Sequence, residues 1–148
     1  MTTLEAATPD FEELVRASVL KMPASKQLGF AFSRIAPGEV EIIQPHREDL
    51  TIDGSSFQGG VVGMLADIAA GSAGRTLLAP GWVNMTVDYT VKILAPANGE
   101  TVVARARVIK AGKVMTVAAA DVYTVDGGEE KLCATAFVSM RNVQLSKD

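Results

Sequence analysis

Apolar residues near the N-terminus recur at the spacing of an α-helix. The apolar face consists of Phe11, Leu14, Val15, Val19 and Met22. Thr8 is a suitable helix cap, and Pro9 suits the first helical position. Because Pro23 is expected to end the segment, the pattern predicts a short helix over residues 9–22.

Six strand-like segments follow, two before residue 45 and four after residue 82. They cover residues 28–35, 39–44, 83–94, 101–110, 114–125 and 131–141, with turn signals between them. In the third segment apolar side chains alternate with polar ones, and the apolar set is Val87, Tyr89, Val91 and Ile93. This alternation is typical of an antiparallel sheet that is covered on one side. We expect hairpins to place the last four strands side by side.

The segment over residues 59–78 has the length and spacing of a helix but an unusual composition. It contains Gly59, Gly60, Gly63, Gly71 and Gly74. Each glycine costs about 1 kcal/mol relative to alanine, so this helix must be stabilised by tertiary packing. The order helix, two strands, long helix, four strands therefore predicts an α+β fold, in which a curved antiparallel sheet of about six strands wraps the long central helix.

Composition narrows the class of protein. The chain has 148 residues, and we expect a single domain over residues 1–148, with its core over roughly residues 28–141. The net charge is −3 and aromatic residues make up 5%, which argues against a nucleic acid partner. The N-terminus does not resemble a signal peptide, and the longest apolar stretch is too short and too polar to span a bilayer, so we expect no membrane partner.

The counts of cysteine and histidine limit the chemistry of the site. Cys133 and His46 are the single residues of their types, so a zinc site built from cysteine and histidine is excluded and we expect no metal. One cysteine cannot form an internal disulfide, which suits a reducing cytoplasm. The sequence therefore predicts a cytoplasmic protein.

Asp67 is the candidate catalytic residue on the central helix. Small residues at helical spacing form one stripe with it, namely Gly60, Gly63, Gly71 and Gly74. We expect the larger side chains to face the sheet and the stripe to allow close approach of a backbone or a slender ligand. A carboxylate in apolar surroundings is costly unless it is paired or used. The structural alternative to a catalytic role is an aspartate that accepts hydrogen bonds or pairs with a basic residue across an interface.

The start of the helix is a second candidate. Gln58, Gly59 and Gly60 follow a polar loop and precede the apolar part of the helix. The free N–H groups of a first helical turn can hold an anion or a developing oxyanion. The two glycines would let a carbonyl group approach these N–H groups closely.

The stretch over residues 57–67, FQGGVVGMLAD, resembles the signature of the hotdog thioesterases related to phenylacetyl-CoA thioesterase. The later stretch over residues 87–97, VDYTVKILAPA, also resembles the strand that follows the helix in this family. The resemblance covers roughly residues 28–141. It implies a hotdog fold and hydrolysis of acyl-CoA thioesters to free acid and coenzyme A, with no cofactor beyond the coenzyme A of the substrate.

The resemblance also implies roles for individual residues. Asp67 matches the catalytic carboxylate, which acts as general base or nucleophile, and Gly59 matches the glycine whose N–H polarises the thioester carbonyl. Gln58 replaces the histidine of the motif, and Thr86 falls where some relatives carry a serine near the attacking water. An asparagine frequent before the motif is missing here, and Thr51, Asp53 or Ser55 could take its place.

The remaining candidate residues would bind the substrate. We expect Gly60 beside the carbonyl group and Met64 beside the acyl group, while Lys110 and Lys113 are candidates for the phosphates of coenzyme A. Packing in the core and solvated charge are the respective structural alternatives for Met64 and the two lysines.

Gly59 and Asp67 are eight residues apart, so roughly 12 Å along a helix axis. A single helix can hardly bring both groups to one carbonyl, whereas two antiparallel copies can. We therefore expect a homodimer with sites shared between subunits, and the family resemblance implies the same arrangement, often as a dimer of dimers. Two alternatives remain at this stage: a non-catalytic acyl-CoA-binding hotdog protein, and a hotdog dehydratase or hydratase.

Overall fold

The computed structural model describes residues 3–147. Its helices are α1 (Phe11–Leu20), α2 (Pro23–Leu28) and α3 (Gly59–Arg75), and its strands are β1 (Ala31–Ala36), β2 (Glu39–Pro45), β3 (Trp82–Ile93), β4 (Thr101–Ala111), β5 (Met115–Asp126) and β6 (Glu129–Gln144). One six-stranded antiparallel sheet has the order β1-β2-β4-β5-β6-β3 and curves around α3. This architecture is the one that the sequence predicts.

The N-terminal region differs from the prediction in two places. Helix α1 begins at Phe11, and Asp10 occupies the cap position without a side-chain hydrogen bond, so the predicted start at Thr8-Pro9 is wrong. Pro23 does not end the helical region but opens α2, because proline suits the first turn of a helix. The left-handed backbone of Gly29, with φ of 72°, ends α2, and the first strand therefore begins three residues later than predicted.

The connection from β3 to β4 also differs from the prediction. The last four strands do lie side by side, but β3 pairs with β6, and β4 pairs with β2 and β5. The chain between β3 and β4 is held at the start of α3, where Phe57 donates its backbone N–H to the carbonyl of Ala97 at 3.0 Å. A hairpin between β3 and β4 is therefore wrong, and β3 becomes an edge strand.

Helix α3 packs against the concave face of the sheet through small side chains. Its buried residues include Val62, Leu65, Ala66, Ala69, Ala70 and Ala73. The glycine stripe lies against β3: a methyl group added at Gly63 would be 3.5 Å from Val91 Cγ2, and one at Gly74 would be 2.8 Å from Asn84 Nδ2. Close packing on a strand therefore accounts for two of the glycines that weaken the helix.

Candidate active site

Asp67 lies half-buried on α3, facing β3. The hydroxyl of Thr86 donates a hydrogen bond to Asp67 Oδ1 at 2.7 Å. This contact fixes one carboxylate oxygen. The rest of the carboxylate group faces a groove. Thr86, which the resemblance places near the attacking water, therefore contacts the candidate catalytic carboxylate in the fold.

A β-bulge in β3 makes this contact possible. Thr86 pairs with Met140 and Asp88 pairs with Ser139, so Val87 is an extra residue without an opposite partner. Because of this extra residue, Thr86 and Tyr89 both face α3 although they are three positions apart. Strict alternation along the strand would have turned Thr86 to the opposite face from Tyr89.

The groove beside Asp67 has a volume of about 170 Å³. It runs from Asp67 along the second half of α3, between β3 and the end of α1. Its lining is formed by Val19, Met22, Asp67, Ile68, Gly71, Ser72, Arg75, Asn84 and Thr86. The groove is mostly apolar, with a carboxylate near one end and a guanidinium group near the other.

Gln58 caps α3 with its own side chain. Its Oε1 accepts hydrogen bonds from the backbone N–H groups of Gly60 at 2.6 Å and Val61 at 3.3 Å. The N–H of Gly60 is therefore occupied, which makes a direct contact of this group with substrate less favourable than predicted. The N–H of Gly59 donates no hydrogen bond to any residue in the range 3–147. It remains available at the positive end of the helix dipole.

A second pocket opens beside Gly59, with a volume of about 500 Å³. Its lining is mainly apolar and includes Ile52, Phe57, Gly59, Val62, Ile93, Leu94 and Cys133. Burial raises the pKa of the Cys133 thiol to about 11, so this side chain stays protonated at neutral pH and acts as a small buried hydrophobe. The pocket at Gly59 and the groove at Asp67 share no residue.

The loop before α3 uses its polar side chains to hold itself together. Asp53 accepts hydrogen bonds from the backbone N–H of Ser56 and from the N–H and hydroxyl of Ser55. These bonds hold the pKa of Asp53 below its usual value, with the Ser56 N–H as the largest cause. Thr51 donates to the carbonyl of Glu48 and accepts from the N–H of Gly54. The three candidates to replace the missing asparagine thus all have local structural partners.

Three other predicted substrate-binding residues lie away from the groove at Asp67 and from the pocket at Gly59. Met64 is exposed on α3 and lines neither the groove nor the pocket. Lys110 and Lys113 are exposed near the turn between β4 and β5. Lys113 lies near Leu77 and Leu78, at the C-terminal end of α3 and remote from Gly59 of the same chain.

Comparisons with known proteins identify the family. The sequence model of the thioesterase superfamily matches residues 57–131, half of the chain. A thioesterase family protein from Silicibacter pomeroyi is 32% identical, covering 90% of this chain and 98% of that protein, with a TM-score of 0.87. A thioesterase from Haemophilus influenzae is 25% identical over 98% of both chains, with a TM-score of 0.83.

The fold is also that of the E. coli PaaI protein from the phenylacetic acid degradation operon. The two share 20% identity over 93% of this chain and 97% of that one, with a TM-score of 0.78. The chain belongs to the thioesterase superfamily. The hotdog fold and the resemblance to PaaI-like proteins are confirmed, as is the enzyme class, a thioester hydrolase.

Residues 3–147 contain neither a candidate membrane-spanning helix nor a candidate metal-binding cluster. None of the helices in this range combines the length and the apolar character that crossing a bilayer requires. In the same range, no three side chains of His, Cys, Asp or Glu come together as a group that could hold a metal ion.

Proposed function

We propose that the protein hydrolyses acyl-CoA thioesters at two equivalent sites, each shared between two copies of the chain. The observation that carries the proposal is the separation of two reactive groups on one helix. Gly59 offers a free N–H in one pocket and Asp67 offers a carboxylate in another, roughly 12 Å away along the axis of α3. A two-fold axis between antiparallel copies of α3 would bring Gly59 of one subunit to Asp67 of the other.

The surface around β3 supports such a pairing. We call this the β3 surface: the free edge of β3 together with the exposed apolar side chains of Met64, Met85, Val87, Tyr89 and Ile93. A long, unpaired strand edge with apolar side chains is a template for pairing with another strand. Exposed apolar patches of this kind mark interaction sites. Pairing two β3 edges would also bring the two copies of α3 towards each other.

In the proposed reaction the thioester carbonyl lies against the N–H of Gly59. This N–H, with the side-chain amide of Gln58 beside it, stabilises the negative charge that develops on the carbonyl oxygen. The partner's Asp67 accepts a proton from a water molecule, whose oxygen adds to the carbonyl carbon. The C–S bond then breaks, and coenzyme A leaves as the proton passes to its sulfur. In the alternative route a carboxylate oxygen of the partner's Asp67 adds to the carbonyl carbon, and the C–S bond breaks as coenzyme A leaves as a thiolate that takes up a proton. Water then hydrolyses the resulting anhydride to the free acid and restores the carboxylate.

The two-fold arrangement also suggests a role for the lysines near the C-terminal end of α3. In an antiparallel pair, the C-terminal end of one α3 lies on the side of Gly59 of the other. Lys110 and Lys113 would thus approach the substrate bound at the other subunit, where they could pair with the phosphates of coenzyme A. We place the reaction in the cytoplasm, in keeping with a single buried cysteine that has no disulfide partner.

Subunit mixing tests the shared site directly. Asp67→Asn removes the base, and Gly59→Val places a branched side chain where the carbonyl must lie. Each variant alone should hydrolyse acyl-CoA at least a hundredfold more slowly than the wild type. When the two are unfolded together and refolded, half of the dimers are mixed. Each mixed dimer has one site with both intact groups, so about a quarter of wild-type activity should return.

A panel of aliphatic and aryl acyl-CoA thioesters, followed by release of the free thiol, provides the measurement. Variants refolded separately and then combined without exchange serve as the control. Absence of recovery in the mixed sample, with normal dimers, would disprove the shared site. Binding of acyl-CoA without release of thiol by the wild type would instead identify an acyl-CoA-binding protein.

A further inference from the structure

Arg75 is a half-buried cation in the last turn of α3. It lines the groove that also contains Asp67, two helical turns earlier. No acidic side chain in residues 3–147 forms an ion pair with Arg75, and no hydrogen bond from its guanidinium group occurs in that range. The arginines that do form ion pairs, such as Arg105, lie at the surface with carboxylates beside them.

The environment of Arg75 makes this lack of a partner costly. Burial lowers the pKa of the guanidinium group from its usual value, since the charged form loses hydration. The C-terminal end of α3 attracts a cation and compensates for part of this cost. That attraction, however, requires only a position near the helix end. Arg75 also lines the groove of Val19, Met22 and Asp67, and it borders a neighbouring cavity beside Phe11, Leu78 and Trp82. Side chains on a helix lean towards its N-terminus, which brings the guanidinium group closer to Asp67.

We propose that Arg75 binds an anionic group at the far end of the acyl chain, so that the preferred substrates are coenzyme A thioesters of dicarboxylic acids. This inference rests on the proposed function, because it takes the groove at Asp67 to hold the acyl group. The groove has a volume of about 170 Å³, which suits a short chain and is too small for the nucleotide of coenzyme A. Its middle part, formed by Ile68, Gly71 and Met22, is apolar enough for methylene groups.

The charges at the two ends of the groove would orient such a substrate. A terminal carboxylate is repelled by Asp67 and attracted by Arg75, so the thioester end is left beside the catalytic carboxylate. A guanidinium group can donate two parallel hydrogen bonds to a carboxylate, a geometry that lysine cannot reproduce. Arg75 would thus determine specificity without taking part in the bond-breaking step.

Matched pairs of substrates test this role. The charged members are glutaryl-CoA, adipyl-CoA and suberyl-CoA, and the neutral members are pentanoyl-CoA, hexanoyl-CoA and octanoyl-CoA. For the wild type, kcat/KM should be higher for the charged member of at least one pair. Arg75→Met should lower kcat/KM for that charged substrate by about ten- to a hundredfold, the effect of losing a hydrogen-bonded charge, and leave its neutral partner nearly unchanged. Arg75→Lys should retain part of the preference.

Arg16→Met is the matched control. It removes the same charge from an exposed position on α1, where Arg16 pairs with Glu12 at 3.0 Å. The control should alter neither member of a substrate pair. Binding of adipyl-CoA and hexanoyl-CoA to the Asp67→Asn protein gives a second measurement without turnover, and the preference there should also disappear with Arg75→Met. Thermal unfolding verifies that each variant is folded.

The possible failures can be distinguished. If Arg75→Met weakens both members of every pair equally, Arg75 contacts the coenzyme A part or stabilises α3, and the inference is wrong while the proposed function stands. The same conclusion follows if the wild type prefers the neutral member of every pair. If the wild type releases no thiol from any substrate, the proposed function fails. In that event equal binding of charged and neutral thioesters overturns the inference as well.

Discussion

Gln58 has two polar atoms with different partners. Its Oε1 accepts hydrogen bonds from the N–H groups of Gly60 and Val61, as a helix cap does. Its Nε2 has no acceptor among residues 3–147 and lies at the N-terminal end of α3. A histidine at this position would also have one donor and one acceptor, because a neutral imidazole carries one nitrogen of each kind. Glutamine offers an oxygen for the cap and still retains a donor for the substrate.

Two substitutions at Gln58 separate the cap from the donor. Gln58→Ala removes both, and we expect the free energy of unfolding to fall by about 1 kcal/mol. Gln58→Glu retains an acceptor and adds a negative charge at the positive end of the helix, so stability should be maintained. Both variants lack the donor, and kcat should fall about a hundredfold in each. Urea unfolding and thiol release give the two measurements. A fully active Gln58→Glu protein would show that Gln58 serves only as a cap.

At the scale of elements, α3 depends on packing rather than on its own helical propensity. The same substitution should therefore have opposite effects at two glycines of one helix. An added methyl group at Gly71 meets no atom within 4 Å, whereas one at Gly74 would lie 2.8 Å from Asn84 Nδ2 and 3.3 Å from Met140 Cε. Asn84 is held there by its hydrogen bond to the carbonyl of Gly71 at 2.8 Å.

We expect Gly71→Ala to raise the free energy of unfolding by about 0.5–1 kcal/mol, because alanine is the better helix former. Gly74→Ala should lower it by about 1–3 kcal/mol, since Asn84 and Met140 must move. Urea unfolding of both proteins, compared with the wild type, measures the two changes. A gain at Gly74 would mean that α3 and β3 are packed less closely than the structure indicates.

On the outer face of the sheet, Arg105 connects three strands. It forms ion pairs with Glu41 on β2 and Glu130 on β6. Burial alone would raise the pKa of Glu41, but hydrogen bonds from Ser33 and Arg105 outweigh it and hold that pKa below its usual value. The hydrogen bond from Arg105 likewise lowers the pKa of Glu130.

These two lowered pKa values predict a dependence of stability on pH. Carboxylates whose pKa is lower in the folded state stabilise the fold above the unfolded pKa, and this contribution is lost as pH falls through the folded pKa. Arg105→Met should therefore lower the free energy of unfolding by about 1 kcal/mol at neutral pH, a modest effect for partly exposed pairs. The difference from the wild type should shrink towards pH 3. Arg34→Met, which removes an exposed pair with Glu39, is the control. An unchanged difference at low pH would contradict the assignment.

At the scale of the whole molecule, the β3 surface is the exposed apolar feature that a partner copy would cover. Val87 is 58% exposed at its centre, and Ile109 on β4 is a comparable apolar residue, 52% exposed, outside this surface. A charge at a strand edge opposes pairing with another strand. Val87→Lys should therefore dissociate the proposed dimer and lower thioesterase activity in parallel, even though Asp67 and Gly59 are unchanged.

Sedimentation velocity over a range of protein concentrations, together with thiol release, measures both effects. Ile109→Lys should remain dimeric and active, and circular dichroism should show that both variants retain the fold. A Val87→Lys monomer with full activity would disprove the need for two copies of the chain.

The sequence predicts the local parts of this molecule better than the distant ones. Periodicity identifies α3 and the strands because each depends on neighbouring residues. The pairing of β3 with β6 is not visible in the sequence, since it joins segments about fifty residues apart. The turn signals between β3 and β4 are equally compatible with a hairpin, which the strand pairing and the bonds of Phe57 and Leu94 to distant segments rule out.

The residues of the candidate site divide in the same way, into those that the local sequence reveals and those that only the fold brings together. Gly59 and Asp67 could be selected because glycines and a single carboxylate interrupt an apolar helix. Arg75 gave no signal, as one basic residue at the end of a helix is common, and only the fold brings it to the groove of Asp67. Thr86 was selected by resemblance, but alternation alone would have turned it from α3. Its contact with Asp67 depends on the bulge at Val87, and the sequence contains no distinctive signal for a bulge at this position.

The extra residue at Val87 has a consequence for sequence variation in this strand. Met140 and Ser139 are consecutive on β6, so loss of the extra residue would place Thr86 directly before Asp88 and turn the bulge into regular pairing. Asn84 and Thr86 would still face α3, where their contacts with Gly71 and Asp67 lie. The length of the strand can therefore vary by this one residue while Thr86 keeps its direction towards α3. The side chain at this position is constrained instead by its place in the β3 surface.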